Sequence, residues 1–228
     1  MSWVTMFAAD ITPFLTDCSA YRKAYRLVSV ERQSKANQYR FEKDRCLCVG
    51  AEVLLIHACD EMKFDFSRHT ILVDENGKPD FADGNLHFNL SHSGNVVFCA
   101  LSDRTVGCDT EQLRPFDTHI ANRFFAKEES SYLDGIPDEN QRLDRFFRLW
   151  TLKESFIKCT GLGLKMPLRQ FTVDISRGEP RLTEQPEQGV YVMGEEKSRG
   201  YRFAWCVRCQ DGDDQFSQSQ LRWLNLTT

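Results

Sequence analysis

Two carboxylates, Asp109 and Glu111, close a run, Thr105-Val106-Gly107-Cys108, that reads as a β-strand. Residues two apart on a strand point to one face, so these acids repel each other unless a cation lies between them. Some forty residues on comes Trp150-Thr151-Leu152-Lys153-Glu154-Ser155-Phe156-Ile157-Lys158, in a helical pattern. Its Glu154 and Lys158 are four apart and share a helix face. A fold that joins this strand end to this helix face can place three carboxylates around Mg²⁺ with an ammonium beside it, which suits a phosphate-bearing substrate.

With 228 residues the chain is long enough to bury a sizeable core, as one large domain or two lobes. A net charge of −4 gives no global reason to bind nucleic acid or an anionic membrane. No apolar run approaches the roughly 18 residues of a membrane span, and the amino terminus lacks the pattern of a secretory leader. The nine cysteines are odd in number and scattered. Cys46, Cys48, Cys99, Cys108 and Cys206 fall in apolar stretches, where a free thiol acts as a small hydrophobe. A reducing compartment, the cytoplasm, is expected.

Along the chain, Tyr21 to Asp60 reads as helix, with basic residues crowding its polar side. Ile71 to Val73 reads as a strand running into an Asn76-Gly77 turn. His87 to Asn89 and Asn95 to Leu101 read as strands around a Ser91-His92-Ser93-Gly94 turn, joined by Thr105 to Glu111 in one antiparallel sheet. Helices are expected at Asp117 to Leu133 and Asp138 to Cys159, the latter ended by Gly161-Leu162-Gly163. Strands follow at Phe171 to Ile175, Val190 to Met193 and Tyr201 to Cys209, and the tail from Gln210 to Gln220 reads as polar and mobile. Helix then sheet occurs twice, so the fold expected is α+β: two similar lobes, residues 1–103 and 104–228, in a pseudo-two-fold arrangement.

Each motif has an ordinary reading. Glu154 and Lys158 could be a plain helical ion pair worth about 0.2–0.5 kcal/mol. Ser91 and His92 could satisfy their own turn, and Gly77-Lys78-Pro79 could be only a turn. A serine hydrolase is disfavoured because Ser91 lacks a nucleophile-elbow context.

Their order and spacing carry more than the pieces. Gly-Lys-Pro, then Phe-Asn-Leu-Ser-His-Ser, then Val-Gly-x-Asp-x-Glu, then Trp-x-x-Lys-Glu-Ser-x-x-Lys, closely resembles the 4′-phosphopantetheinyl transferases of the two-lobed, surfactin-synthetase-activating subgroup. The resemblance covers roughly residues 35 to 164. It implies coenzyme A as substrate, bound between lobes, and a serine of an apo acyl or peptidyl carrier protein, itself acidic, as acceptor. It implies Mg²⁺, or Mn²⁺ in its place, on Asp109, Glu111 and Glu154. It implies Lys158 on the pyrophosphate, Ser91 and His92 on phosphate and ribose, Lys78 and Pro79 at the nucleotide, and Lys35, Arg40 and Arg45 at the 3′-phosphate.

By the same resemblance Glu129 matches an acidic family position, and Cys108 and Thr110 stand where bulky aliphatics are usual. Glu154 is the candidate general base and Lys158 the stabilising cation. Lys153, about 100° around the helix from Glu154, reads as a surface or packing residue. Arg114, Phe116 and Arg123 are candidates for the carrier dock, and a monomer is expected. The competing readings are a Mg²⁺-dependent phosphodiesterase or nuclease, and a module that binds coenzyme A without transferring it.

Overall fold

The computed structural model describes residues 2–176, 178–210 and 216–227. It is a mixed α+β fold of small sheets and helices. In the first sheet, strand Ser2–Asp10 pairs antiparallel with Val96–Ser102, which pairs with His87–Ser93. In the second, Val106–Gln112 pairs with Tyr201–Cys209, which pairs with Val190–Ser198. Helix Glu42–Glu61 covers the outer face of the first sheet, and helix Glu139–Thr160 that of the second. The inner faces meet through Val4, Met6, Phe98, Cys108, Phe203 and Trp205, giving four layers in the order helix, sheet, sheet, helix.

The stretch from Tyr21 to Asp60 is helical as expected and is divided into three helices, Cys18–Leu27, Val30–Gln38 and Glu42–Glu61. Ser29 accepts from the Arg32 amide and so restarts the helix. The segment read as a helix from Asp117 to Leu133 also breaks, at Phe125 and Ala126, where the Glu129 side chain accepts from the Ala126 amide at 2.9 Å. Helix Glu139–Thr160 keeps the expected bounds within a residue: Asp138 caps its start, and Gly161, at φ 73°, ends it in the left-handed region.

Two expectations are revised. Val106–Gln112 belongs to a different sheet from His87–Ser93. The tail does not hang free throughout. Phe216–Gln218 and Arg222–Trp223 lie parallel to Ser2–Asp10 and cover its outer edge, which would otherwise expose unpaired backbone groups. Residues 211–215 of that tail lie outside the described residues.

Among the described residues no helix is long and apolar enough to cross a membrane. None of the nine cysteines is in a disulfide and all but Cys18 are buried, including the five expected to be hydrophobic. Burial pushes the Cys108 thiol up to about 12, so it packs as an inert side chain.

Candidate active site

Alternation along Val106–Gln112 sends Val106, Cys108 and Thr110 into the layer between the sheets, and Gly107, Asp109 and Glu111 towards helix Glu139–Thr160. The two residues that depart from the family pattern therefore face away from the acids. Cys108 and Thr110 are fully buried, and Thr110 donates to the Arg202 carbonyl at 3.0 Å. At Gly107 strand and helix touch through their backbones. This brings Lys158 onto Asp109, with Nζ 2.7 Å from Oδ1. The Ser91 hydroxyl donates to the same Oδ1 at 2.8 Å and lies 3.0 Å from Lys158 Nζ. Ser93 donates to Glu111 at 2.6 Å.

Burial pulls the Lys158 pKa down, but Asp109 and Glu154 outweigh it and hold it above the ordinary lysine value, so the side chain stays charged. Burial and then the neighbouring acids raise Glu154 and Glu111 above ordinary carboxylates. The raised values have a consequence for stability. An acid whose folded pKa exceeds its unfolded one holds a proton longer when folded, so its contribution falls as pH rises through that window and is a standing cost at pH 7. Glu154→Gln removes the cost. Melts in EDTA at pH 7 should therefore show the variant more stable than the parent, by about 2–4 °C for each kcal/mol relieved. The gain should vanish near pH 4. An unchanged or lower melting temperature at pH 7 would contradict this electrostatic picture.

Beside these residues a cleft of about 790 Å³ opens between the two halves of the chain. Glu154 and Lys158 line it, with Lys78 and Pro79 from the first half. Phe124 and Trp150, whose rings meet edge to face at 6.1 Å, line it too, as do Met166 and Leu168. Lys78 also ties the halves together, its Nζ donating to the Val106 carbonyl at 2.9 Å and the Cys159 carbonyl at 3.2 Å.

The other expected contacts lie elsewhere. His92, on the opposite strand face from Ser91, is exposed. Lys35 and Arg40 are exposed and Arg45 half-buried; none lines this cleft, and Arg45 is bonded to the Tyr39 and Arg40 carbonyls. Arg114 and Arg123 are exposed, but Phe116 is half-buried against Phe146, with ring centroids 5.2 Å apart. Glu129 and Lys153 form a fully buried pair away from the acids. Sequence reasoning missed Asn89 and Ser93, although the alternation Asn89-x-Ser91-x-Ser93 marks one strand face.

A family profile described as the 4′-phosphopantetheinyl transferase superfamily matches residues 105–206, which include the acid strand and the long helix. The 4′-phosphopantetheinyl transferase psf-1 of Bacillus pumilus is 36% identical over 210 residues, covering 89% of this chain and 89% of that protein. This chain is a 4′-phosphopantetheinyl transferase family member. The 4′-phosphopantetheinyl transferase Sfp of Bacillus subtilis, 34% identical over 81% of this chain and 84% of its own, places it in the Sfp-type subgroup. The 4′-phosphopantetheinyl transferase HetI of Nostoc is 39% identical over 53% of this chain and 50% of its own.

Do the acids of this family member suit a divalent cation? Among the described residues no three His, Cys, Asp or Glu side chains already converge as a cluster able to hold a metal ion. The Lys158 ammonium neutralises one Asp109 oxygen. The other, Oδ2, is buried and finds no hydrogen-bond partner among the described residues, a costly state for a carboxylate oxygen. All the donors are hard oxygens, the chemistry Mg²⁺ prefers. The residues fit the ion.

Proposed function

We propose that the protein moves the 4′-phosphopantetheine group of coenzyme A to a serine of an apo acyl or peptidyl carrier protein, at the floor of the 790 Å³ cleft. The observation that carries this reading is the Lys158–Asp109–Ser91 cluster beside Glu154, at the wall of a cleft of about 790 Å³. Asp109, Glu111 and Glu154 are the residues that would hold Mg²⁺ or Mn²⁺. A bound ion would supply charge neutralisation at the phosphate oxygens.

The rest falls to the chain. The serine oxygen attacks the β-phosphorus of coenzyme A, forming a new P–O bond and breaking the pyrophosphate P–O bond, so that adenosine 3′,5′-bisphosphate leaves. Glu154, whose raised pKa suits a proton acceptor, takes the hydroxyl proton. Lys158 stays charged and offsets negative charge that grows towards the transition state. Lys78 and Pro79 on the cleft wall and Ser91 against Lys158 serve as coenzyme A contacts, while His92, Lys35, Arg40 and Arg45 lie off the cleft and would meet only a part of the substrate that extends beyond it. Arg114, Phe116 and Arg123 serve as the dock for an acidic carrier, and Arg123 also lines the cleft.

The halves 1–103 and 104–228 act as lobes related by a pseudo-two-fold axis. Support comes from the one long helix laid on each sheet, although the last strands return to the first sheet. The protein works as a monomer in the cytoplasm, where its thiols remain reduced.

Incubation with coenzyme A, Mg²⁺ and an isolated apo carrier domain should raise the carrier mass by one phosphopantetheine group, and EDTA should stop the reaction. Coenzyme A cleavage with no carrier gain would favour a phosphodiesterase. Tight binding without either outcome would favour a non-catalytic module.

A further inference from the structure

The strands His87–Ser93 and Val106–Gln112 are neighbouring edges of different sheets, and three side chains bridge them. Asn89 Oδ1 accepts from the Cys108 amide at 2.9 Å, Ser91 Oγ from the Thr110 amide at 3.3 Å, and Ser93 Oγ from the Gln112 amide at 3.1 Å. Every second residue of one strand thus meets every second amide of the other, replacing a backbone ladder with a side-chain one. The bridge takes one acceptor lone pair of each serine hydroxyl, and Ser91 also accepts from the Lys158 ammonium at 3.0 Å. One proton remains, and a hydroxyl has only one to give. Ser91 gives it to Asp109, and Ser93 gives it to Glu111.

The two acids are not equally held. Asp109 also has Lys158. For Glu111, Ser93 is the only hydrogen-bond donor found among the described residues. A flexible, half-buried carboxylate beside Asp109 is repelled by it, and without a tether its side chain would turn towards solvent. Such a turn would separate the two acids before any cation reached them.

We infer that Ser93 is a positioning residue: it holds the Glu111 carboxylate beside Asp109 so that the pair is set for a divalent cation in advance. The inference rests on reading Asp109 and Glu111 as cation ligands, and concerns how their spacing is fixed. Asn89 belongs to the same bridge but touches neither acid, so it separates the structural role of the bridge from the positioning one.

The test is Mn²⁺ binding to the full chain, by electron paramagnetic resonance, together with the metal dependence of carrier modification. Ser93→Ala should weaken Mn²⁺ binding by about tenfold or more, the usual effect of losing a partner that orients a metal ligand. The metal concentration for half-maximal turnover should rise by a similar factor, while turnover at saturating metal stays near that of the parent. Ser93→Thr, which keeps the hydroxyl, should restore both. Asn89→Ala should lower the melting temperature without altering Mn²⁺ affinity. Unchanged Mn²⁺ binding in Ser93→Ala, or equal weakening in Asn89→Ala, would overturn the inference and leave the cation reading standing. A parent protein that binds no Mn²⁺ would overturn both.

Discussion

Lys158→Ala is expected to lower turnover by a hundredfold or more, whereas Lys153→Ala, five residues earlier on the same helix, is expected to unsettle the fold. Lys158 reaches into the cleft and stands on Asp109 beside Glu154. Losing a fixed charge-stabilising group at such a site costs about 2.7–4 kcal/mol of transition-state stabilisation. The stability loss should be smaller, because the surrounding acids border the cleft and can take up protons when their counter-charge is gone.

Lys153 is wholly buried. Its Nζ lies 2.7 Å from Glu129 Oε1 and 2.5 Å from the Phe171 carbonyl, and 4.1 Å from the centre of the Phe171 ring. Glu129 also accepts from the Val173 and Ala126 amides, so the pair joins the helix to two other segments. Removing one partner of a buried pair costs about 3–5 kcal/mol, because the other charge is left uncompensated. That is a large share of a typical domain's stability. Thermal and urea melts of both variants check this, with turnover measured well below their midpoints.

A pH signature accompanies it. Burial holds Lys153 down at about 8. Between that pH and the ordinary lysine value of about 10.4 the unfolded chain binds more protons, so this group makes stability rise with pH. The rise should be missing in Lys153→Ala. If Lys153→Ala kept the parent's melting temperature, the buried pair would have no such role.

The helix assignment at Lys153 shows where sequence reasoning reached and where it stopped. The angular offset from Glu154 separated Lys153 from the helix face that carries Glu154 and Lys158, and the structure pairs Lys153 with Glu129 and Lys158 with Asp109. It could not say whether the other face met solvent or core, because that depends on Glu129 and Phe171, distant in sequence. The acid strand and its helix were legible because period 2 and period 3.6 are local properties. Strand Ser2–Asp10 gave no such signal. It lies between two layers, with Phe7 and Ala9 facing one core and Val4, Met6 and Ala8 the other, so its apolar run does not alternate. The Ser91-His92-Ser93 segment was read as a turn because serine and glycine favour turns. In the fold the strand runs to Ser93, and the turn follows at Gly94, at φ 57°. The misreading hid the side-chain bridge, which depends on those residues being extended.

Gly107→Ala is the substitution expected to do most damage for one added methyl group. A Cβ at Gly107 would lie 2.1 Å from the Cys159 amide nitrogen and 2.2 Å from the Ser155 carbonyl oxygen. Both are main-chain atoms of helix Glu139–Thr160, so no side chain can move aside. Either the helix lifts away from the strand or the strand bends. Overpacking ordinarily costs about 1–3 kcal/mol, and a collision between two backbones belongs above that range. The consequence for function follows from the same contact. Asp109 is two residues along the strand from Gly107, and Lys158 adjoins Cys159 on the helix, so a displacement there separates the ion pair now at 2.7 Å. It also moves Glu154 relative to Glu111. The variant should therefore melt well below the parent and, in whatever fraction remains folded, transfer poorly even with saturating coenzyme A. Soluble yield, melting temperature and turnover per folded molecule are the measurements. A Gly107→Ala protein with the parent's melting temperature and turnover would show that strand and helix do not approach this closely in solution, and with that the geometric basis for bringing Asp109 to Lys158 would be lost.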